Sequence, residues 1–311
     1  MKKIMLLSFF LVGVLSLYAR ENYVTTSDGV QLFVTVKGKG IPCLYLHGGP
    51  GAGSYFLERL NGEFLEKKFQ MVYLDQRGVG RSSSPADGNY SMERMVQDFE
   101  EVRKALNIEQ WITLGHSFGG ILQMGYATSY PEKIKGMVMV NCCLDASDSY
   151  TRSWAPKAFS LLDIKEKEFY LDESLSLKTR WDSLITQLID QKIIWKMGFS
   201  NFDDARAMGN VCSEVPVGNT DFENVALGIK EYLYDFTVDT KKLEMPVLFF
   251  YGKRDWMVGP AHFKRIHFPN MLPWEADTEH MTPFLSDSLK LHDAINAYVK
   301  NYNLGVPQES K

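Results

Sequence analysis

A serine lies in this chain where it could act as a nucleophile. Residues 115–119 read GHSFG and follow the apolar run 111–114. A helical pattern begins directly afterwards, so Ser117 is predicted to lie in a sharp turn between a strand and a helix. A serine hydroxyl held in such a turn can attack a carbonyl carbon once a neighbouring base takes its proton.

The chain also supplies a base and a carboxylate that could orient it. The apolar run 246–251 predicts a short buried strand, and Asp255 follows its end. A second predicted strand over residues 271–275 leads into the loop that carries His280. We therefore expect Ser117, Asp255 and His280 to form a nucleophile–acid–base triad.

Other side chains compete for these two roles. His262 and His267 flank a helix-like segment ahead of the last predicted strand, and His292 lies inside the terminal helical pattern. None of these positions places an imidazole directly after a strand. Asp277 and Glu279 are rival acids, but both crowd the histidine loop itself.

A glycine-rich loop offers donors for a negatively charged oxygen. The predicted strand 43–46 is followed by residues 47–51, which read HGGPG. Glycine lets the backbone turn its N–H groups inward, and Pro50 has no N–H to donate. We therefore expect the N–H groups of Gly49 and of Phe118, directly after the serine, to stabilise an oxyanion.

Three segments together resemble the signature of the prolyl iminopeptidases, which are serine aminopeptidases of the α/β-hydrolase fold. The segments are residues 47–51 (HGGPG), 75–82 (DQRGVGRS) and 115–120 (GHSFGG). The resemblance covers about residues 23–300 and is strongest in the first half. It implies release of an N-terminal residue, often proline, from a small peptide with a free N-terminus. It also assigns the triad and the two oxyanion donors the catalytic roles expected above.

The resemblance further implies an acidic group that binds the ammonium of the substrate. In family members one such glutamate comes from the end of the lid, a region that Glu223 occupies here, with Glu214 as second candidate. Some members have another glutamate directly after the triad acid, where this chain has Trp256. Trp256 is predicted to contact substrate, and its presence keeps a second function open. That alternative is a carboxylesterase or carbon–carbon bond hydrolase with the same triad.

The order of predicted elements indicates an α/β fold with a mostly parallel sheet flanked by helices. Strands and helical patterns alternate up to about residue 141 and resume at residue 246. Between them, amphipathic patterns such as 178–195 and 204–211 predict a helical lid inserted after the sixth core strand. The predicted divisions are core 20–143, lid 144–243, core 244–303 and a C-terminal tail 304–311.

Residues 1–19 have the pattern of a secretory signal. Lys2 and Lys3 precede an apolar run that ends near the small residue Ala19. The run is short for a membrane span, so we expect no stable membrane insertion once the signal is removed. The mature protein is predicted to begin near Arg20 and to be periplasmic if the host is a bacterium.

Composition excludes several other functions. The net charge of −4 arises from interspersed acidic and basic residues, which argues against a nucleic-acid partner. Neither metal-ligand spacing nor a phosphate or dinucleotide loop is present, so the sequence predicts no metal and no cofactor. A disulfide from Cys142 or Cys143 to Cys212 stays open, as does the oligomeric state.

Overall fold

The computed structural model describes residues 23–215 and 218–304, which form one sheet covered by helices. The predicted signal 1–19, and all of the predicted tail beyond residue 304, lie outside the described residues. The strand order is β1-β2-β4-β3-β5-β6-β7-β8. The strands are β1 Tyr23–Thr25, β2 Gln31–Lys37, β3 Ile41–Leu46, β4 Phe69–Leu74, β5 Trp111–His116, β6 Ile134–Val140, β7 Val247–Gly252 and β8 Met271–Ala276.

The six strands β3 to β8 are parallel to one another, whereas β2 pairs in the antiparallel sense with both β1 and β4. The central strands are apolar along almost their whole length because both faces of the sheet are covered. Parallel strands bring their carboxyl ends to one edge, so the loops after β3, β5, β7 and β8 meet there. The prediction of a mostly parallel α/β sheet is confirmed.

Alternate side chains of each strand face two different layers of helices. Cys43 and Tyr45 of β3 pack in the cluster that includes helices α1 (Tyr55–Leu65) and α10 (Ser288–Asn301). Leu44 and Leu46 of the same strand face the cluster that includes α2 (Met92–Ala105) and α3 (Gly119–Ser129). These two layers hold the sheet rigid at the edge where the loops converge.

A helical insertion follows the sixth strand and packs on the second of these layers through residues such as Trp154 and Leu184. It lies between β6 and β7, as predicted for the lid. Its helices are α4 Ala146–Ser149, α5 Ala155–Leu162, α6 Glu168–Leu171, α7 Leu177–Asp190, α8 Phe202–Ser213 and α9 Asp221–Val225. The predicted helix 178–195 ends earlier than expected, because Lys192 adopts a left-handed backbone with φ of 58°.

A buried ion pair fixes the loop that follows β4. Arg77 is fully buried and donates from Nε and Nη2 to the two carboxylate oxygens of Asp98 on α2, at 2.6 and 2.7 Å. A third nitrogen, Nη1, donates to Asp28 at 2.9 Å. Such a pair is stable only when every charge is matched, so the loop 75–82 has little freedom to move.

No helix in the described ranges is both long and apolar enough to cross a membrane. All four cysteines lie within those ranges and are free thiols, so the disulfide that the sequence left open is absent.

Candidate active site

Ser117 occupies a strained turn between β5 and α3. Its φ of 54° is left-handed, a conformation that costs a non-glycine residue about 1–3 kcal/mol. The turn is held by its neighbours, since the Ser117 carbonyl accepts from the N–H of Cys143 at 2.9 Å. The residues of β5 are buried, whereas Ser117 is partly exposed. The turn therefore presents the hydroxyl at the carboxyl edge of the sheet.

The turn requires α3 to approach the sheet very closely. A Cβ atom placed on Gly119 would lie 2.0 Å from the carbonyl oxygen of Leu46, at the end of β3. No side chain fits in that space, so glycine is needed for the helix to begin directly behind Ser117.

Asp255 and His280 form a buried hydrogen-bonded pair. Asp255 Oδ2 lies 2.9 Å from His280 Nδ1, and the side chains of His280 and Asp255 are only 2% and 4% exposed. The other oxygen of Asp255 accepts from the N–H groups of Met257 and Val258 at 2.9 and 3.1 Å. The carboxylate is thus fixed and orients the imidazole so that Nε2 is left as a proton acceptor.

The Ser117 hydroxyl makes no hydrogen bond to any group of residues 23–215 and 218–304. Hydrogen bonds between a nucleophile and its base often tighten only when substrate is bound. The strands β5, β7 and β8 nevertheless bring Ser117, Asp255 and His280 to the same edge of the sheet.

Asn141, which sequence reasoning missed, holds the two loops of this pair together. Its Nδ2 donates to the carbonyls of His280 at 2.9 Å and Glu279 at 3.1 Å. Its Oδ1 accepts from the N–H of Gly252 at 2.9 Å, at the end of the strand that leads to Asp255. The available signal was a polar residue that ends the apolar strand β6 at the carboxyl edge.

The rival histidines have other contacts. His262 is buried, and its Nε2 accepts from the N–H of Leu144 at 3.1 Å, while burial lowers its pKa. His292 stacks on Phe64 with ring centroids 3.7 Å apart. His267 is exposed, away from the loops that meet at Ser117. The rival acids Asp277 and Glu279 both pair with Arg254.

The two predicted oxyanion donors lie together and are free to bind. Gly49 has a φ of 112°, and Gly49, Ser117 and Phe118 line the same pocket. Neither the Gly49 nor the Phe118 N–H donates to another group of the described chain. Unpaired N–H groups attract a developing negative charge, and Phe118 adds the favourable field of the start of α3.

We call the glycine-rich residues 47–51 the donor loop, and the loop after β4 stabilises the segment that follows it. Asp75 accepts from the N–H and hydroxyl of Ser54 at 2.9 and 2.7 Å, and from Arg81 Nε at 2.7 Å. Burial alone would raise the pKa of Asp75, but hydrogen bonds from Arg81 and Ser54 hold it below its ordinary value. The charge-matched loop thus keeps the donor loop in place.

His47 also links the donor loop to the loop after β4. Its Nε2 accepts from the backbone N–H of Gln76 at 3.2 Å, and burial lowers its pKa to about 4. The imidazole is therefore neutral near pH 7 and acts as an acceptor within the loop.

The pocket in front of Ser117 is narrow and mostly apolar. The lid covers it with Ala146, Trp181 and Leu227, and none of its lining residues is acidic. Its lining residues are Gly49, Pro50, Ser117, Phe118, Cys143, Ala146, Trp181, Leu227, Met257 and Val258. A small apolar group fits such a pocket.

Glu223 lies close to the donor loop. A Cβ atom on Gly51 would lie 2.8 Å from Glu223 Cβ and 3.4 Å from its Oε2. The carboxylate has no hydrogen-bond or ion-pair partner among the described residues. The side chain is exposed, yet desolvation by nearby protein atoms raises the pKa of its carboxyl, with a smaller opposing effect from Lys178.

A short piece of backbone pairing holds Glu223 in this position. Gly80 and Asn219 exchange two N–H···O bonds of 2.8 Å, and the N–H of Phe222 donates to the Gly78 carbonyl. The end of the lid is therefore tied to the braced loop after β4.

The remaining two predicted binding residues lie elsewhere. Glu214 accepts from Tyr55 at 2.8 Å and from Arg59 at 3.0 Å, and these hydrogen bonds lower its pKa. Trp256 is 40% exposed and does not line the Ser117 pocket. Of the three side chains, the structure brings only Glu223 to the donor loop.

No group of three His, Cys, Asp or Glu side chains in the described part of the chain could hold a metal ion. The chemistry available here is attack by a serine hydroxyl, with a histidine as base and backbone N–H groups as electrophilic stabilisers.

Comparisons with known proteins agree with this architecture. A family model described as the alpha/beta hydrolase fold matches residues 42–287. A proline iminopeptidase of Neisseria gonorrhoeae is 38% identical over 123 residues, which are 38% of this chain and 39% of that protein. The match thus spans about two fifths of the relative's length, and over that segment it confirms the resemblance expected from the motifs.

Solved structures share the fold over almost the whole chain. A proline iminopeptidase-related protein from Thermus thermophilus superposes with a TM-score of 0.72 at 19% identity, covering 90% of this chain and 96% of that one. An esterase from Exiguobacterium antarcticum superposes with a TM-score of 0.67 at 20% identity, covering 89% and 98%. At these identities the likeness shows the fold alone.

The close approach at Gly119 gives a testable prediction. We expect Gly119→Ala to lower the free energy of unfolding by about 1–3 kcal/mol, because its methyl group collides with the Leu46 backbone. Gly209→Ala is the matched control, since Gly209 lies inside α8 with nothing within 4 Å of its added Cβ. That change should raise stability by about 0.5–1 kcal/mol. Urea unfolding measures both, and equal shifts would contradict the packing argument.

Proposed function

The chain belongs to the α/β-hydrolase fold family, and we propose that it is an exported serine aminopeptidase of the proline-iminopeptidase type. Its substrates are small peptides with a free N-terminus, from which it releases the first residue. The proposal is supported by the placement of the triad residues, by the relatives matched over part of the chain, and by an unpaired carboxylate at the donor loop.

The first half of the reaction forms an acyl-enzyme. Ser117 Oγ attacks the carbonyl carbon of the first peptide bond while His280 Nε2 takes the hydroxyl proton. Asp255 holds the imidazole through the 2.9 Å bond to Nδ1 and stabilises its charged form. The N–H groups of Gly49 and Phe118 donate to the oxygen of the tetrahedral intermediate.

The second half restores the enzyme. His280 gives its proton to the leaving amine, and the rest of the peptide departs. A water molecule, deprotonated by the same imidazole, then attacks the acyl carbon and releases the amino acid.

The observation that carries the peptidase proposal is the position of Glu223. Its carboxylate is exposed and has no partner within the described chain, so it is available to pair with a charged group of a substrate. A substrate ammonium supplies the missing partner, and Gly51 beside it follows the predicted donor Gly49 by two residues. An ester substrate has no need of such a charge.

The pocket supports a small apolar first residue. The walls of the pocket are mostly apolar. Trp181 and Leu227 of the lid form part of these walls and make the pocket narrow. A proline side chain suits this shape because it is compact and has no polar atoms to satisfy.

A carboxylesterase or carbon–carbon bond hydrolase is the second candidate. It is favoured by the absence of any acid among the residues that line the Ser117 pocket, and by Trp256 directly after Asp255. The same triad and donors would serve either reaction. The requirement for a substrate ammonium separates the two functions.

The triad assignment predicts a large loss of turnover. On a prolyl arylamide, Ser117→Ala is expected to lower kcat by about 10⁶-fold. The kcat of His280→Ala should be similarly low. His267→Ala, at an exposed histidine, is the control and should keep parental turnover. If His262→Ala or His267→Ala abolished activity while His280→Ala kept it, the base would be assigned wrongly.

The ammonium anchor predicts a loss that depends on the substrate. Glu223→Gln is expected to lower kcat/KM on free-amine dipeptides by about 10²-fold, the scale of a lost charge pair, and to leave simple ester hydrolysis unchanged. Glu214→Gln is the control, because that carboxylate is already paired. Equal losses on both substrate classes, or none on either, would remove Glu223 from this role.

The pH dependence of KM, measured for the parent enzyme and for Glu223→Gln, tests whether the charge of Glu223 binds the substrate. The protein atoms around Glu223 raise the pKa of its carboxyl by desolvating it, so the group becomes neutral at a higher pH than an ordinary glutamate. The KM for free-amine substrates should therefore rise as the pH falls through that pKa. Glu223→Gln should lack this rise, since its side chain is neutral at every pH.

The proposal that the protein is exported rests on the signal pattern of residues 1–19. It predicts that the N-terminus is cleaved during export. Expressed in a Gram-negative bacterium, the protein should be recovered from the periplasm with a first residue near Arg20. N-terminal sequencing of the fractionated protein measures this. Recovery of chains that retain residues 1–19 in the cytoplasmic fraction would contradict it.

A further inference from the structure

We propose that a positively charged groove beside His280 binds the C-terminal carboxylate of the peptide substrate. The enzyme would then act on short peptides whose two charged ends are both recognised. This inference rests on the proposed aminopeptidase function and specifies its substrate class.

The groove lies where the lid meets the loops of Asp255 and His280, and we call it the cationic groove. Its volume is about 360 Å³. Its lining includes Lys157, Lys196, Met197, Phe199, Arg254 and Trp256.

Two of its three cations have no carboxylate partner. Arg254 is neutralised by Glu279 and Asp277. Lys157 and Lys196 have no carboxylate within 4.0 Å among the described residues. Each ammonium instead lies over a tryptophan ring of the groove, at 5.9 Å for Lys157 and 5.7 Å for Lys196. The groove therefore has an excess of positive charge that is available to an anion.

The wall of the groove rests directly on the histidine loop. Gly198, between the lining residues Met197 and Phe199, accepts from the N–H of Met281 at 2.9 Å. A Cβ atom on Gly198 would lie 3.7 Å from His280 Cβ. The groove therefore adjoins the loop that carries His280.

The groove also adjoins the Ser117 pocket along the chain. Trp256 lines the groove, and the next residue, Met257, lines the pocket. The two spaces therefore share a boundary in the segment that follows Asp255.

The chemistry of the reaction places the leaving peptide on this side. His280 must protonate the leaving amine, so the part of the substrate beyond the first peptide bond lies towards the imidazole. In a short peptide that part ends in a carboxylate. Lys157 and Lys196 can pair with this carboxylate, while Glu223 pairs with the ammonium at the other end.

Binding to the inactive Ser117→Ala variant tests the groove without turnover. Isothermal titration calorimetry would use peptides of proline followed by one, two or three alanines. Each is prepared as the free acid, as the C-terminal amide and as the N-acetylated acid. We expect the acid of at least one length to bind about 10-fold more tightly than its amide, the scale of two exposed ion pairs.

Lysine variants locate the effect. In the Ser117→Ala background, Lys157→Gln with Lys196→Gln should bind acid and amide equally. Lys167→Gln is the matched control, since Lys167 is another lid lysine over an aromatic ring, Phe159, outside the groove. It should keep the full difference between acid and amide.

The outcomes separate this proposal from the proposed function. Equal affinity of acid and amide at every length would overturn the carboxylate site, as would a difference that persists in the double lysine variant. N-acetylation removes the ammonium charge and changes only the amine end of the substrate, far from the cationic groove. If acetylation left affinity unchanged while the double variant removed the acid preference, the groove would stand and the aminopeptidase function would fail.

Discussion

The left-handed backbone of Ser117 constrains the strands and the helix that pack around it. Because a serine resists a φ of 54°, the turn persists only where several contacts hold it at once. Gly119 lets α3 approach the end of β3, and Cys143 binds the Ser117 carbonyl. The strain is thus offset by packing across three strands, and its result is a hydroxyl that faces the pocket rather than the core.

Around that turn, charge matching gives the neighbouring loops their rigidity. Arg77 and Asp75 each satisfy their charge within the loop after β4 and the elements beside it. On the opposite side, Asn141 binds the backbone of both the Asp255 strand and the His280 loop. The site is therefore held by buried polar contacts whose loss leaves unpaired groups, and such contacts have one stable arrangement.

The lid contributes three charged side chains near the candidate site that have no ion-pair partner in the described chain. Glu223 lies beside the donor loop, and Lys157 and Lys196 lie beside the histidine loop. The charges of Asp75, Arg77 and Asp255 in the core are paired, whereas these three lid charges are available to a ligand. A division of this kind lets the core perform one reaction while the lid selects the molecule that undergoes it.

The sequence by itself determined the alternation of strands and helices, the strand-end positions of Ser117, Asp255 and His280, and the glycine-rich donor loop. Those features depend on local periodicity and turn chemistry, which short segments carry. Only the tertiary structure decided that Glu223 rather than Glu214 lies at the donor loop, that Trp256 faces a separate groove, and that Asn141 joins two loops. These contacts join residues that are far apart in the chain, and no local pattern records where two distant loops will meet.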